Sequence, residues 1–176
     1  MDTKFLLKLL EDQADPAKVP AMEAYMKNKF SFLGVQKPIL KKIEKDFFKP
    51  FIKDPIDWAF VEECCQQPYR EFQYIVMDYL DKKKKELRPE DFPKLKELAQ
   101  TKSWWDSIDQ LDRIIGEITF TYPETKQVML DWSKDQDFWL RRIAIDHQLM
   151  RKEKTDTDLL EKVIINNLGQ SEFFIN

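Results

Sequence analysis

Helix-start signals recur along this sequence with a fixed period. Asp54-Pro55, Arg88-Pro89-Glu90-Asp91, Thr121-Tyr122-Pro123-Glu124 and Thr155-Asp156 supply capping side chains with a proline or an acidic first turn. They lie about 32 to 34 residues apart. A second series opens at Tyr69-Arg70-Glu71-Phe72, Trp104-Trp105-Asp106, Phe138-Trp139-Leu140 and Glu172-Phe173-Phe174, again about 33 to 35 residues apart. Two interleaved helix series with one period mean tandem helical hairpins. Such a hairpin cannot bury its apolar face alone, so neighbours must stack. The pattern predicts an all-α fold, an α-solenoid of tandem HEAT-like helical hairpins, forming a single domain over residues 1–176. The first fifty residues are less regular. They predict helices near 3–13, 18–28 and 37–48, with Phe30-Ser31-Phe32-Leu33-Gly34 as a loop.

Composition narrows the function classes. Three glycines exclude glycine-rich phosphate loops and most turn-dense β folds. No apolar run approaches the roughly 20 residues of a membrane span. The opening segment MDTKFLLKLLEDQADP turns acidic at once and reads as an amphipathic helix, not a signal peptide. The adjacent Cys64 and Cys65 make no CxxC pair and no disulfide framework, which points to a reducing cytoplasm. The single histidine, His147, excludes metal sites that need two, and no metal or cofactor is expected. The net charge of −3 argues against nucleic-acid binding when taken alone. Its distribution is uneven, however. Residues 1–50 hold ten Lys/Arg against seven Asp/Glu, and residues 103–176 hold nine against fourteen. The run Lys82 to Lys85 reads as a solvated end of a helix over 72–80.

The helix predicted over 104–120 is the informative one. Trp104, Ile108, Leu111, Ile115 and Ile118 fall on one stripe, which is core. Trp105, Asp109, Asp112 and Gly116 fall on a second stripe about a quarter-turn away. Trp105 and Asp109 are four positions apart and meet on one face. They are either an edge-covering tryptophan among ordinary solvated acids or an aromatic surface beside a carboxylate, suited to a cationic centre. On the next helix of the series, Trp139, Ile143 and Met150 mark the apolar stripe. Arg142 lies at its edge with Asp146 one turn on, as a surface ion pair or as a phosphate contact. Arg141 falls on a more exposed side. His147 has no nucleophile nearby and reads as structural; Cys64 and Cys65 share an apolar helix with Trp58 and Phe60 and read as core. Lys37, Lys41, Lys42 and Lys45 lie on or near one helix, as a solvated face or a DNA-backbone contact.

Four segments carry a resemblance. They are Tyr25-Met26-Lys27-Asn28-Lys29-Phe30-Ser31-Phe32-Leu33-Gly34-Val35, Arg70-Glu71-Phe72-Gln73-Tyr74, Trp104-Trp105-Asp106-Ser107-Ile108-Asp109 and Trp139-Leu140-Arg141-Arg142-Ile143-Ala144-Ile145. In order and spacing they resemble the AlkD-like DNA alkylation repair family. The resemblance implies a HEAT-like solenoid and a DNA glycosylase that removes cationic N3- and N7-alkylated purines from duplex DNA. It implies that Trp105 and Asp109 act on the lesion's deoxyribose and that Arg142 contacts the backbone. Arg141, Lys37 and Lys41 are further candidate DNA contacts. The chain is expected to be a monomer with no cofactor and no obligatory protein partner, cytoplasmic, and nucleoid-associated if bacterial. The family's second tryptophan lies in its final helical repeat, and this sequence stops at Glu172-Phe173-Phe174-Ile175-Asn176, so that repeat is expected to be missing. Residues from about 170 are expected to be held by packing on a helix over 158–168, through Leu159, Val163, Ile164 and Leu168, or by a neighbouring molecule. Two other functions compete: a catalytically silent DNA-binding relative and a HEAT-type protein-interaction scaffold. The acidic balance favours the scaffold, and the two tryptophan segments favour the other readings.

Overall fold

A computed structural model describes residues 1–175. The chain forms two compact units, Met1–Leu80 and Asp81–Asn176. Among the described residues there are ten α-helices and no strand, as the all-α expectation requires.

The first unit holds α1 (Thr3–Glu11), α2 (Val19–Tyr25), α3 (Lys37–Phe48), α4 (Trp58–Gln66) and most of α5 (Glu71–Lys83). Asp2 caps α1 by accepting the N–H groups of Lys4 and Phe5. Helix α4 starts later than the Asp54-Pro55 signal predicts. Its cap is Asp57, whose side chain accepts the Phe60 N–H at 3.0 Å. A cap side chain reaches only the second or third helical N–H, so Asp57 is in range and Asp54 is not. Leu6, Leu10 and Leu40 are buried, beside an aromatic cluster. In that cluster the Phe48 ring lies 5.1 Å from Tyr79 and the Phe47 ring 5.8 Å from Phe60. Such aromatic pairs add directional contacts to their area burial.

Two of the segments that carry the family resemblance form a structural lock in this unit. The buried Glu71 carboxylate accepts the backbone N–H groups of Leu33, Gly34 and Val35 at 3.0 to 3.1 Å. The Arg70 N–H donates to the Ser31 carbonyl at 2.8 Å. The Arg70 side chain is fully buried, its guanidinium 4.0 Å from the Phe30 ring centre. Gly34 sits at φ +90°, and a Cβ there would meet the Asp15 carbonyl oxygen at 2.2 Å. Only glycine fits that turn.

Lys37 and Lys41 project from α3. Both bind Asp78 on α5, at 2.6 and 2.8 Å, and both remain partly exposed. Behind them Glu44 is fully buried. As a carboxylate Glu44 has no hydrogen-bond donor; when protonated, its hydroxyl bonds Asp78. Burial, then the Asp78 hydrogen bond and charge, push the Glu44 carboxyl up to about 8. Burial raises Asp78 too, but the bonds from Lys37 and Lys41 outweigh it and hold Asp78 below the usual range. The folded protein therefore keeps the Glu44 proton at pH values where the unfolded chain has lost it. That contribution to stability is fully present below pH about 4.5 and is lost as pH rises through about 8. Glu44→Gln is expected to flatten the fall in thermal midpoint between pH 5 and 8, as followed by circular dichroism at about one-unit steps. An unchanged profile would take Glu44 out of this linkage.

The second unit continues with α6 (Phe92–Gln100), α7 (Trp105–Thr121), α8 (Lys126–Trp132), α9 (Phe138–Asp146) and α10 (Thr157–Ile165). Two of its predicted proline starts open as 3-10 turns, Pro89–Asp91 and Pro123–Thr125, which lead directly into α6 and α8. Proline's fixed φ and missing N–H suit a first turn. Helix α6 packs on α7, α8 on α9, and these hairpins stack through the extensive α7–α9 contact, with α10 added against α8 and α9. Ile108, Leu111, Ile114, Ile115, Leu140 and Ile143 fill the α7–α9 side of the core. The residue that ends α9 abuts α7 at Gly116, where a Cβ would fall 2.1 Å from the His147 carbonyl oxygen. His147 is buried with Nδ1 2.7 Å from the Ala144 carbonyl, and burial pushes it down to about 4. It is structural, as read from the sequence.

Three expectations need correction. Met150 does not continue the apolar stripe of α9: that helix ends at Asp146, and Met150 beyond it is 69% exposed. The lysine run is not wholly solvated either. Helix α5 extends to Lys83, which is buried and paired with Glu86 at 2.9 Å. Lastly, Cys65 is only partly buried, whereas Cys64 is in the core.

Candidate active site

The adjacent tryptophans at the head of α7 divide their work. Trp104 is the extended residue before the helix and turns its ring inward, edge to face with Trp139 at 5.9 Å. Trp105 is the first helical residue and stays partly exposed. One turn on, Asp109 accepts two hydrogen bonds from Arg142 of α9, from Nε at 3.0 Å and Nη2 at 2.8 Å. Both land on Oδ1. Arg142 also lies 3.5 Å from Asp146. The ion pair that was one of the two readings from sequence is therefore present, but the shorter contacts run to α7. Trp105, Asp109 and Arg142 together line an open depression of about 520 Å³. The structure thus brings together three of the residues singled out in the sequence.

The rest of that depression is closed by residues 173–175. Phe174 sits 5.3 Å from Trp104 and 5.0 Å from Trp139, and nearly parallel to Phe138 at 6.4 Å. Its carbonyl accepts a bond from Arg142 Nη1 at 2.9 Å. This corrects the expectation that the segment packs on α10. Leu159 and Val163 of α10 are buried, but Ile164 and Leu168 stay exposed. Three aromatic rings offer Phe174 a better-matched surface than an aliphatic stripe. Phe173 points outward and is 86% exposed.

Arg141 is buried, not exposed. Its Nη1 donates to the carbonyls of Asp135 and Gln136, and its Nη2 pairs with Glu172. The carbonyls of the turn before α9 need donors, and a guanidinium reaching back from the first turn supplies them. Lys37 and Lys41 belong to the first unit, whereas Trp105, Asp109, Arg141 and Arg142 belong to the second.

Asp112 departs furthest from expectation. Its stripe read either as ordinary solvated acids or as a carboxylate surface beside an aromatic, and the residue is only 2% exposed. Burial, then the charges of Asp146 and Asp109, push its carboxyl up to about 8. Burial and Asp109 likewise raise Asp146, against the lowering effect of Arg142. Asp109, Asp112 and Asp146 each place one oxygen within 4.8 Å of the others, the one group among the described residues with metal-ligand geometry. Sequence reasoning missed this cluster because it depends on the α7–α9 contact. Beside it lies a second depression, of about 550 Å³, with Lys84, Arg113, Arg151 and Lys154 among its lining and Phe120 between cations.

The model of the DNA alkylation repair enzyme family matches residues 6–176. The chain belongs to that family. It is also similar to a solved structure, the predicted DNA alkylation repair enzyme from Enterococcus faecalis. The two share 31% sequence identity at a TM-score of 0.85, over 93% of this chain and 78% of that one. No curated protein matches the sequence. Family membership makes DNA alkylation repair the role of this protein and DNA its substrate. Among the described residues no helix is long and apolar enough to cross a membrane.

Proposed function

We propose that this family member is an AlkD-like DNA glycosylase on a HEAT-like scaffold, excising cationic N3- and N7-alkylated purines from duplex DNA. The observation that carries the reading is the meeting of Trp105, Asp109 and Arg142 around one open depression. Alkylation at N3 or N7 makes the purine a positively charged leaving group, so its departure needs no general acid. Positive charge then develops on the deoxyribose. Asp109 stabilises that charge and orients the attacking water, while the face of Trp105 presents negative quadrupole density to the same centre. Arg142 holds Asp109 through Oδ1, which leaves Oδ2 unengaged by the guanidinium. A preorganised charge of this kind is commonly worth a few kcal/mol in the transition state.

An open depression does not enclose a flipped base, unlike the pockets of base-flipping glycosylases. It suits reading of sugar and backbone. Lys37 and Lys41 supply positive charge in the first unit for backbone contact, and Arg141 acts by holding the turn ahead of Arg142. The protein works as a monomer in the cytoplasm, at the nucleoid in a bacterium, and requires no cofactor. The test is release of 7-methylguanine from alkylated duplex DNA. Binding without release would favour the silent DNA-binding relative, and absence of both would favour the scaffold.

Arg142→Ala separates two roles. A lost phosphate contact should weaken binding to damaged and intact DNA alike, and should reduce the salt slope of log K by roughly 0.9. Affinity and slope measured by fluorescence anisotropy between 50 and 200 mM salt decide the matter. Unchanged values with slower excision would restrict Arg142 to holding Asp109.

A further inference from the structure

Helix α3 carries its charges in the reverse of the order that a helix favours. The macrodipole rewards acids in the first turn and bases in the last. In α3 the first turn holds no acid and no side-chain cap, and Lys37 opens the helix with Lys41 one turn on. The acids Glu44 and Asp46 come only in the second half. Two lysines beside the positive end of the dipole oppose folding, and an anion bound there would offset them.

A buried acid gathers these cations. Lys37 and Lys41 both reach Oδ2 of Asp78 on α5, at 2.6 and 2.8 Å, while their side chains stay 41% and 47% exposed. The Lys37 ammonium also lies 5.2 Å from the Tyr74 ring centre. Asp78 is itself buried, and Glu44 is fully buried with no donor given to either oxygen. The charged groups acting on Glu44 are Asp78 from α5 and Lys37 and Lys41 from its own helix. Two lysines, one ionised aspartate and a protonated Glu44 leave the cluster with a net positive charge on its exposed side.

We propose that Lys37 and Lys41 form a binding site for one backbone phosphate of duplex DNA at the opening of α3, with Asp78 and Glu44 as its positioning residues. The site rests on the DNA reading above and adds a regulation to it. Two ammonium groups held on one oxygen present several N–H donors in a small volume, which suits the oxygens of a phosphodiester. Lysine acts there as a point charge on a flexible stem, so what holds it in place matters. Asp78 fixes the position of both lysines, and Glu44 sets the charge behind them. With its proton Glu44 is neutral, and its hydroxyl bonds Asp78. Loss of that proton puts a second buried negative charge beside the lysines, and the phosphate is then held less tightly. Burial raises the Glu44 carboxyl to about 8, so affinity is full below that pH and declines above it. A bound phosphate raises Glu44 further, so binding takes up protons in that range.

The test is binding of the whole chain to an intact duplex, followed by fluorescence anisotropy. Lys37→Ala and Lys41→Ala, at exposed side chains, should each weaken binding and reduce the salt slope of log K by roughly 0.9. At fixed ionic strength the natural chain should lose affinity from about pH 7 to about pH 9, and Glu44→Gln should remove up to about tenfold of that loss. Asp112 also titrates near pH 8, in the second unit, but it is the same in both chains, so the difference between the profiles belongs to Glu44. A Glu44→Gln profile identical to the natural one, or lysine variants with unchanged affinity and slope, would overturn the proposal. Selective displacement of the duplex by millimolar inorganic phosphate at the same ionic strength would assign the site to free phosphate and overturn it too. Excision plays no part in this test. No duplex binding by the natural chain would sink the DNA reading together with the proposal, whereas binding with unchanged variants would sink the proposal alone.

Discussion

Asp109→Asn is expected to slow release of 7-methylguanine about 100-fold or more while leaving DNA affinity within about twofold. The asparagine keeps the shape and an oxygen for Arg142 to bond, but it loses the charge. A group that acts on developing positive charge is worth most in the transition state and little in ground-state binding. Single-turnover excision and binding isotherms on the same alkylated duplex separate the two. Excision at the natural rate would remove Asp109 from the mechanism. A parallel loss of affinity and excision would make it a binding residue instead.

The largest effect on stability is expected from Gly116→Ala. An alanine normally gains about 0.5–1 kcal/mol over glycine within a helix. Here its Cβ would fall 2.1 Å from the His147 carbonyl oxygen, and that atom is backbone. Neither helix relieves the clash by turning a side chain, so α7 and α9 must separate by about an ångström. Overpacking of this severity costs about 3 kcal/mol, which outweighs the propensity gain. The thermal midpoint should fall by about 6–12 °C. Asp109 lies on α7 and Arg142 on α9, so excision should fall with it even where the variant remains folded. A midpoint within about 2 °C of the natural chain would show that the helices do not approach this closely.

That Trp105 and Asp109 share a face was legible in the sequence for a geometric reason, whereas their grouping with Arg142 as a site came from the family resemblance. Helical period places Trp105 and Asp109 on one face whatever else the chain does. The regular recurrence of helix starts then sets Arg142 one hairpin later. The four family segments were legible too, but for two different reasons. Those at Trp104 and Trp139 build the depression, whereas those at Ser31 and Arg70 make the lock in which Glu71 closes the loop before α3. The four segments thus line a depression in one unit and lock a loop in the other.

What the sequence by itself determined is local. Period, caps and prolines point to eleven helix openings, and ten of them lie within a few residues of a helix, because each signal acts over four or five positions of chain; the eleventh, at Glu172-Phe173-Phe174, opens only a turn among the described residues. What the tertiary structure decided is which polar groups lose water. Arg141 and Arg142 are neighbours in sequence with equal intrinsic charge, yet one is bound to turn carbonyls and the other faces an open depression. Asp109 and Asp112 share a stripe, yet one stays partly exposed and the other is buried with an unpartnered oxygen. Phe173 and Phe174 differ in the same way, one outward and one among Trp104, Phe138 and Trp139. Burial depends on what another helix brings to within a few ångströms. No periodicity along one helix contains that information: here the α7–α9 contact brings Asp146 to Asp112, the turn before α9 and Glu172 take up Arg141, and the tryptophans take up Phe174.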